Sequence, residues 1–179
     1  MTLAPWKFVR RLYEIRNPWW TYRADIVELP SGKEGEYHYV HVRGSSMIVP
    51  ILDDGRMILV NQYRYLVHRE SLEFPCGSVK EGSTFEETAR HELAEETGRA
   101  AEELAYVGEF NSYNGVTDEM CKIYVARRLS TVKAQHDETE EFEHVQLSSV
   151  EIEEYIRSGK IWDGMTLAAW AIIRERVKG

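Results

Sequence analysis

Cysteine is scarce: Cys76 and Cys121 are the only two in 179 residues. They make neither a disulfide framework nor a paired-cysteine metal clip, which excludes a staple-dependent secreted scaffold and predicts a reducing, cytoplasmic setting. Long apolar runs are missing as well. No stretch approaches the ~20 apolar residues of a membrane span. Residues 1–25 carry Arg10, Arg11, Arg16, Asp25 and three tryptophans, which is no signal peptide. Basic residues are outnumbered, 22 Lys and Arg against 30 Asp and Glu, for a net charge of −8. A chain built to grip nucleic-acid phosphates normally shows the opposite balance. Anionic small substrates remain open, because a divalent cation can bring them to an acidic pocket. No Gly/Ser-rich or Pro-rich linker, internal repeat or low-complexity tract divides the chain. With 43% hydrophobic and 29% charged residues, composition is that of an ordinary globular domain. A chain of this length buries about 70% of its unfolded surface and needs no staple to fold.

The first half reads as strands. Asp25–Leu29 leads into the turn cluster Pro30-Ser31-Gly32, and Glu36–Val42 alternates polar and apolar residues with a period of two. Ser46–Leu52 and Arg56–Tyr65 flank Asp53-Asp54-Gly55, a hairpin signal. Met57–Val60 is a continuous apolar run, as expected of a strand buried on both faces. Phe74-Pro75-Cys76-Gly77 reads as a loop. A helix follows over Ser83–Thr97, with Ser83 as N-cap, Glu86 closing a capping box and Gly98 as the stop. Strands resume around Leu104–Phe110, Lys122–Ala126 and His144–Leu147. Two helices close the chain, one over about Val150–Arg157 capped by Ser148 or Ser149, the other over about Met165–Val177. The order predicts an α+β fold with mixed sheets sandwiched by helices, without the regular βαβα alternation of a doubly wound fold.

The chemistry concentrates in His91-Glu92-Leu93-Ala94-Glu95-Glu96. On a helix, Glu92, Glu95 and Glu96 fall within an arc of about 100°. Like charges at this spacing repel by a few tenths of a kcal/mol each. A divalent cation reverses that sign, and carboxylate oxygens completed by waters and phosphates are what Mg²⁺ or Mn²⁺ prefer. Phe85, Ala89 and Leu93 lie only about 70° from the carboxylates, whereas an ordinary surface helix sets its apolar stripe opposite its charges.

From Gly77 to Gly98 the sequence resembles the Nudix signature: Gly, five residues, Glu, seven residues, Arg-Glu-aliphatic-x-Glu-Glu-x-Gly-aliphatic. Gly77, Glu92, Leu93, Glu95, Glu96 and Gly98 match; Ser83, His91 and Arg99 stand where the family has Glu, Arg and an aliphatic residue. Exchanging both the Glu and the Arg removes a pair without leaving a lone buried charge. The rest of the chain, from about Trp6 to Arg176, resembles the ADP-ribose and nucleotide-sugar pyrophosphatases. The resemblance rests on Asn17-Pro18-Trp19-Trp20, Asp54-Gly55-Arg56, Gln62-Tyr63-Arg64-Tyr65, Glu73-Phe74-Pro75-Cys76-Gly77, Asp137–Glu141, Ser158-Gly159-Lys160-Ile161 and Asp163.

The resemblance implies a Nudix fold, an α/β/α sandwich with mixed β-sheets. N-terminal antiparallel strands would form an extension over 1–45 for dimerisation and base binding, ahead of a hydrolase domain over 46–179. It implies Mg²⁺ (or Mn²⁺) held by Glu92, Glu95, Glu96 and the Cys76 carbonyl, with Glu96 also counted among the catalytic groups. Arg64 would neutralise the pyrophosphate, a task suited to a bidentate guanidinium, with Glu73 beside it among the substrate-binding residues. Trp19, Trp20 and His38 are candidates to contact the base. Glu138 and, second, Glu140 are candidates for the base that deprotonates water, and Glu119 is a further candidate for the same pocket. The implied reaction is hydrolysis of a nucleoside diphosphate sugar by a homodimer, with no nucleic-acid or membrane partner. Nucleoside triphosphates, coenzyme A and a non-catalytic nucleotide-binding module are the alternatives. Asn114 stands in a turn where ADP-ribose pyrophosphatases carry proline, which leaves other sugars, such as that of GDP-mannose, open.

Overall fold

The computed structural model describes residues 3–133 and 143–177, which divide into two compact units. The first contains the described residues up to Arg43 together with Asn111–Glu119. Three strands, β1 (Lys7–Arg16), β2 (Thr21–Glu28) and β3 (Glu34–His41), form an antiparallel meander in the order β1-β2-β3. The central strand buries Ala24, Asp25 and Ile26. Arg11 meets the buried Asp25 across the β1–β2 ladder at 2.6 Å, and the Tyr39 hydroxyl donates to the same carboxylate at 3.0 Å. Gly32 turns the chain from β2 to β3 with φ +80°, a left-handed conformation suited to glycine. The 111–119 segment joins this unit through a parallel bridge between Val40 and Thr117 and a 2.7 Å contact from His41 Nδ1 to Asp118. Residues 1–45 were expected to form the extension alone, so this later contribution is an addition from the structure.

The second unit holds two sheets. β4 (Ser45–Pro50), β7 (Cys76–Ser78), β8 (Arg99–Asn111, ending at the unit boundary) and β9 (Met120–Thr131) form one, in the order β7-β4-β9-β8. β5 (Met57–Arg64), β6 (Arg69–Glu73) and β10 (Glu143–Leu147) form the other, in the order β10-β5-β6. β4 runs parallel to β9 and antiparallel to β7, so the first sheet is mixed as expected. Asp53-Asp54-Gly55 does turn the chain, but it closes only the single bridge Ile51–Met57. The strands on either side then enter different sheets, so the expected hairpin is a crossover between layers.

The period of two along β4 explains the layering. Met47 and Val49 join a large core with Met57, Leu59, Phe74, Ile123, Ile152, Trp170 and Ile173, while Ile48 packs on the opposite face with Ala89, Leu93, Tyr124 and Ala126. Ala89 and Leu93 belong to α1 (Phe85–Thr97); Ile152 comes from α2 (Ser149–Arg157), and Trp170 and Ile173 from α3 (Gly164–Val177). Helices thus cover both faces of a β-layer, the expected α/β/α sandwich. Full burial of a side chain such as Leu93 contributes roughly 1.5–3 kcal/mol.

The α1 cap differs from the expectation by one residue. Thr84 is the N-cap: its hydroxyl accepts from the Glu87 amide at 3.2 Å, and the Glu87 carboxylate accepts from the Thr84 amide at 2.8 Å. Ser83 lies one residue earlier, its amide bonded to the Lys80 carbonyl at 3.1 Å. The sequence holds two overlapping boxes, Ser83 with Glu86 and Thr84 with Glu87, and the turn that begins at Lys80 selects the second. Gly98 ends the helix at φ +62° and donates to the Ala94 carbonyl, as expected. Cys76 and Gly77, read as loop, pair as a short strand with Met47 and Ser46.

Candidate active site

The site is built where α1 crosses β7. A Cβ placed on Gly77 would lie 2.1 Å from the carboxylate carbon of Glu92 and 2.2 and 2.5 Å from its oxygens. Glycine is therefore required here by close approach: the Glu92 carboxylate occupies the volume any side chain would take. One residue earlier, the Cys76 amide donates to Glu96 Oε2 at 3.3 Å. The two carboxylates, one helical turn apart, thus lie against adjacent residues of one short strand. Glu96 is only 5% exposed. Glu95 is partly buried beside them, and His91 Nδ1 lies 2.9 Å from Glu95 Oε2 and 4.0 Å from Glu92 Oε1.

A buried carboxylate is costly unless hydrogen-bonded or compensated by positive charge. Glu92, Glu95 and Glu96 share one face of α1, and the cradle that Gly77 leaves open is filled by carboxylate oxygen. These residues fit a hard divalent cation: oxygen donors, closely set, with main chain alongside. Among the described residues, His91, Glu92 and Glu95 form a group whose potential ligand atoms all lie within 4.8 Å of one another.

Positive charge is supplied by Arg64 at the end of β5. Its Nε donates to Glu73 Oε1 at 2.8 Å and its Nη2 to Glu73 Oε2. Glu73 is 3% exposed and also accepts from Gln62 Nε2 at 3.5 Å. The hydrogen bond to Glu73 is the main influence holding the Arg64 pKa above its ordinary value, and attraction to Asp163 and Glu96 adds to it. Arg64 thus lies within the field of Glu96 on α1, with about half of its side chain exposed. Glu73, expected among the substrate-binding residues, spends both oxygens on Arg64.

Two further residues position the site: His144, which the sequence did not single out, and Asp163, which it marked only as part of the resemblance. His144 Nε2 on β10 donates to the Glu96 carbonyl at 2.6 Å, fixing the last turn of α1. Asp163 accepts from the Thr166 amide at 2.7 Å at the start of α3, and the Thr166 hydroxyl receives the Phe74 amide at 3.2 Å, three residues before Gly77. Only the matching of a lone histidine to a helix end, visible in three dimensions, reveals His144. Ser83 and His91, two of the three departures from the signature, line one cavity of about 180 Å³ with Ser78, Lys80 and Glu92.

The remaining candidates lie apart from this cluster in the chain. Trp19 and Trp20 occupy the β1–β2 turn, where the Asn17 side chain accepts both their amides at 2.8 and 2.9 Å and leaves Trp19 79% exposed. They line a cavity of about 220 Å³ with Arg16, Arg23, His41 and Arg43. His38 is not in that lining; its Nδ1 pairs with the Tyr22 hydroxyl at 2.8 Å and its ring stacks on Tyr22. Glu119 belongs to the 111–119 segment of the first unit, where its carbonyl accepts from Asn111 at 2.9 Å. Glu138 and Glu140 fall outside the described residues.

A mixed-sheet sandwich with a glutamate-bearing helix laid against a glycine strand defines the Nudix class of pyrophosphohydrolases. The NUDIX domain model matches residues 42–168, and the chain belongs to that family. It is 32% identical over 149 residues to a methanol dehydrogenase activator of Bacillus methanolicus, covering 82% of this chain and 80% of the relative. It is also 32% identical over 146 residues to an ADP-ribose pyrophosphatase of Bacillus subtilis (strain 168), covering 80% and 78%. The crystal structure of an ADP compounds hydrolase superposes with a TM-score of 0.85 at 23% identity, covering 100% of this chain and 97% of that one, which establishes the fold.

Proposed function

We propose that this Nudix hydrolase cleaves the pyrophosphate bond of a nucleoside diphosphate sugar, releasing a nucleoside monophosphate and a sugar phosphate. The observation that carries the reading is the Glu92 carboxylate seated on Gly77, with the buried Glu96, itself within the field of Arg64, against the neighbouring Cys76 amide. Glu92, Glu95, Glu96 and the main chain of Cys76 would hold a divalent cation, Mg²⁺ or Mn²⁺. Bound there, it supplies Lewis-acid polarisation of the phosphate oxygens. Arg64, held in orientation by Glu73, binds a phosphate oxygen and offsets the charge that develops as water attacks one phosphorus and the other phosphate leaves. A carboxylate of the acidic stretch, Glu138 first and Glu140 second, takes the proton of that water, with Glu119 a further candidate.

Residues 1–45 serve as the dimerisation and base-binding extension to a hydrolase domain over 46–179, and one of Trp19 and Trp20 stacks on the base. His38, bonded to Tyr22, flanks it at most indirectly. The exposed apolar residues of β1, Phe8, Leu12, Tyr13 and Ile15, favour a homodimer in which a second copy covers them. Among the described residues no helix is long and apolar enough to cross a membrane, and the cytoplasm is the setting we propose.

The relative named ADP-ribose pyrophosphatase favours ADP-ribose as the first substrate to try. The test is release of phosphate, coupled through a phosphatase, from ADP-ribose, GDP-mannose, other ADP- and UDP-sugars, coenzyme A and deoxynucleoside triphosphates, each with Mg²⁺, Mn²⁺ or EDTA. Turnover of one or a few sugar nucleotides that EDTA abolishes is expected, and Glu96→Gln should remove it while the protein stays folded. Preferential cleavage of triphosphates or coenzyme A would overturn the substrate class. A Glu96→Gln enzyme with most of its activity would overturn the metal assignment.

A further inference from the structure

His91 carries no task in the reaction described so far, yet its position on α1 is specific. His91 with Glu95 and Glu92 with Glu96 are two parallel i,i+4 rungs, and neighbours at that spacing face one another on a helix. The first rung closes to 2.9 Å between Nδ1 and Oε2, and the same Nδ1 stands 4.0 Å from Glu92 Oε1. These separations have a meaning for metal binding. With metal–ligand bonds of about 2.1 Å, two donors of one ion stand about 3 Å apart at a right angle and about 4.2 Å apart across it. The imidazole nitrogen therefore stands from each of the two carboxylates at a separation that shared coordination of one ion allows. The Glu92 end of the group is already fixed by its seat on Gly77.

We infer that His91 is a nitrogen ligand of the divalent-cation site, alongside Glu92 and Glu95, and that it tilts the site from Mg²⁺ toward first-row transition ions. This rests on the reading of the α1 carboxylates as a cation site given above. Chemistry sets the direction of the selectivity. Mg²⁺ demands near-octahedral oxygen coordination and keeps several waters, whereas imidazole is a good donor to transition ions, whose affinities rise from Mn²⁺ through Co²⁺ to Ni²⁺ at mixed nitrogen and oxygen sites. The bland alternative is an ordinary ion pair on a helix surface: the His91 side chain is 60% exposed, and such a pair contributes little.

Coordination can be read directly, without turnover. Mn²⁺ is added to the full-length protein and electron spin-echo modulation is recorded for wild type, His91→Gln and His91→Arg. Nitrogen modulation in wild type that disappears in both variants is expected; the variants are needed because the chain has six histidines. Titration calorimetry should show Co²⁺ affinity falling about tenfold in His91→Gln, in the range seen when metal-site partners are removed, with Mg²⁺ affinity changed less than twofold. Bound Mn²⁺ without nitrogen modulation, or modulation that survives both variants, would overturn the role of His91 and leave the carboxylate site standing. Equal changes for Co²⁺ and Mg²⁺ would overturn the selectivity. Wild-type protein that binds no Mn²⁺ at all would overturn the cation site itself. His91 lies on the exposed side of α1, and circular dichroism of both variants verifies that they fold.

Discussion

Arg64 and Glu73 meet diagonally across the β5–β6 ladder: Glu73 is in register with Val60, Arg64 with Arg69, and the guanidinium closes on the buried carboxylate through Nε at 2.8 Å and through Nη2. The facing Arg69 is drawn aside, its guanidinium 3.7 Å from the centre of the Trp162 ring, which relieves repulsion between two opposed arginines. Glu73 thus fixes the fork, and about half of the Arg64 side chain stays exposed.

That geometry separates the charge of Arg64 from its orientation. Arg64→Lys keeps the charge but loses the planar two-point contact, and kcat/KM for the sugar nucleotide should fall about tenfold or more. Glu73→Gln should reproduce much of that loss, because a neutral amide grips the guanidinium less firmly. Steady-state kinetics of both single variants and the double variant test the link. The double variant should be little worse than Arg64→Lys alone, whereas fully additive losses would separate Glu73 from Arg64.

Gly77→Ala is expected to disable the site with little effect on the fold. Gly77 is not among the positive-φ glycines, so alanine brings no backbone strain. The added Cβ collides with the end of the Glu92 side chain, 2.1 Å away, and that side chain can swing off. Stability measured by urea unfolding should change by less than about 1 kcal/mol. Mn²⁺ affinity and activity should each drop at least about tenfold, since one ligand is displaced. Intact metal affinity would mean Glu92 works from another position.

Much of this architecture was legible in the sequence. Met57–Val60, read as a doubly buried strand, is buried throughout, and the α1 carboxylates, Gly98 stop and closing helices fall where spacing and caps put them. β1 was not legible by alternation because register shifts between Phe8 and Arg10 and between Arg11 and Tyr13 break the period of two. β7 was not because it is three residues long and follows Pro75. The Arg64–Glu73 grip and the His144 anchor join residues from different strands or layers, which one-dimensional spacing does not encode.

The cap of α1 offers a test of the local correction. Thr84→Ala removes the hydroxyl that receives the Glu87 amide and should cost about 1 kcal/mol, whereas Ser83→Ala, at an exposed position before the cap, should stay within about 0.5 kcal/mol of wild type. Urea unfolding at neutral pH decides between them, and the reverse order would return the cap to Ser83.

Acid should weaken both capping boxes through their glutamates. The Thr84 amide, and after it the Thr84 hydroxyl, hold the Glu87 carboxyl below its ordinary value of 4.5; the Ser148 hydroxyl and then its amide do the same for Glu151. A carboxyl whose folded pKa is depressed binds its proton more readily in the unfolded chain. Its contribution is therefore complete above the unfolded value and is lost as pH falls through the folded one. Each charge also sits in the first turn of its helix, where the macrodipole favours it. The double variant Glu87→Gln, Glu151→Gln keeps a hydrogen-bonding side chain at both positions and removes only the charge. Its Tm should lie below that of wild type by a constant margin from pH 7 to about pH 5. As the pH drops further the wild-type carboxyls become neutral, as the glutamines already are, and the two melting curves should converge. A margin that widens on acidification would assign the caps a folded pKa above the ordinary value and reverse the sign of their contribution.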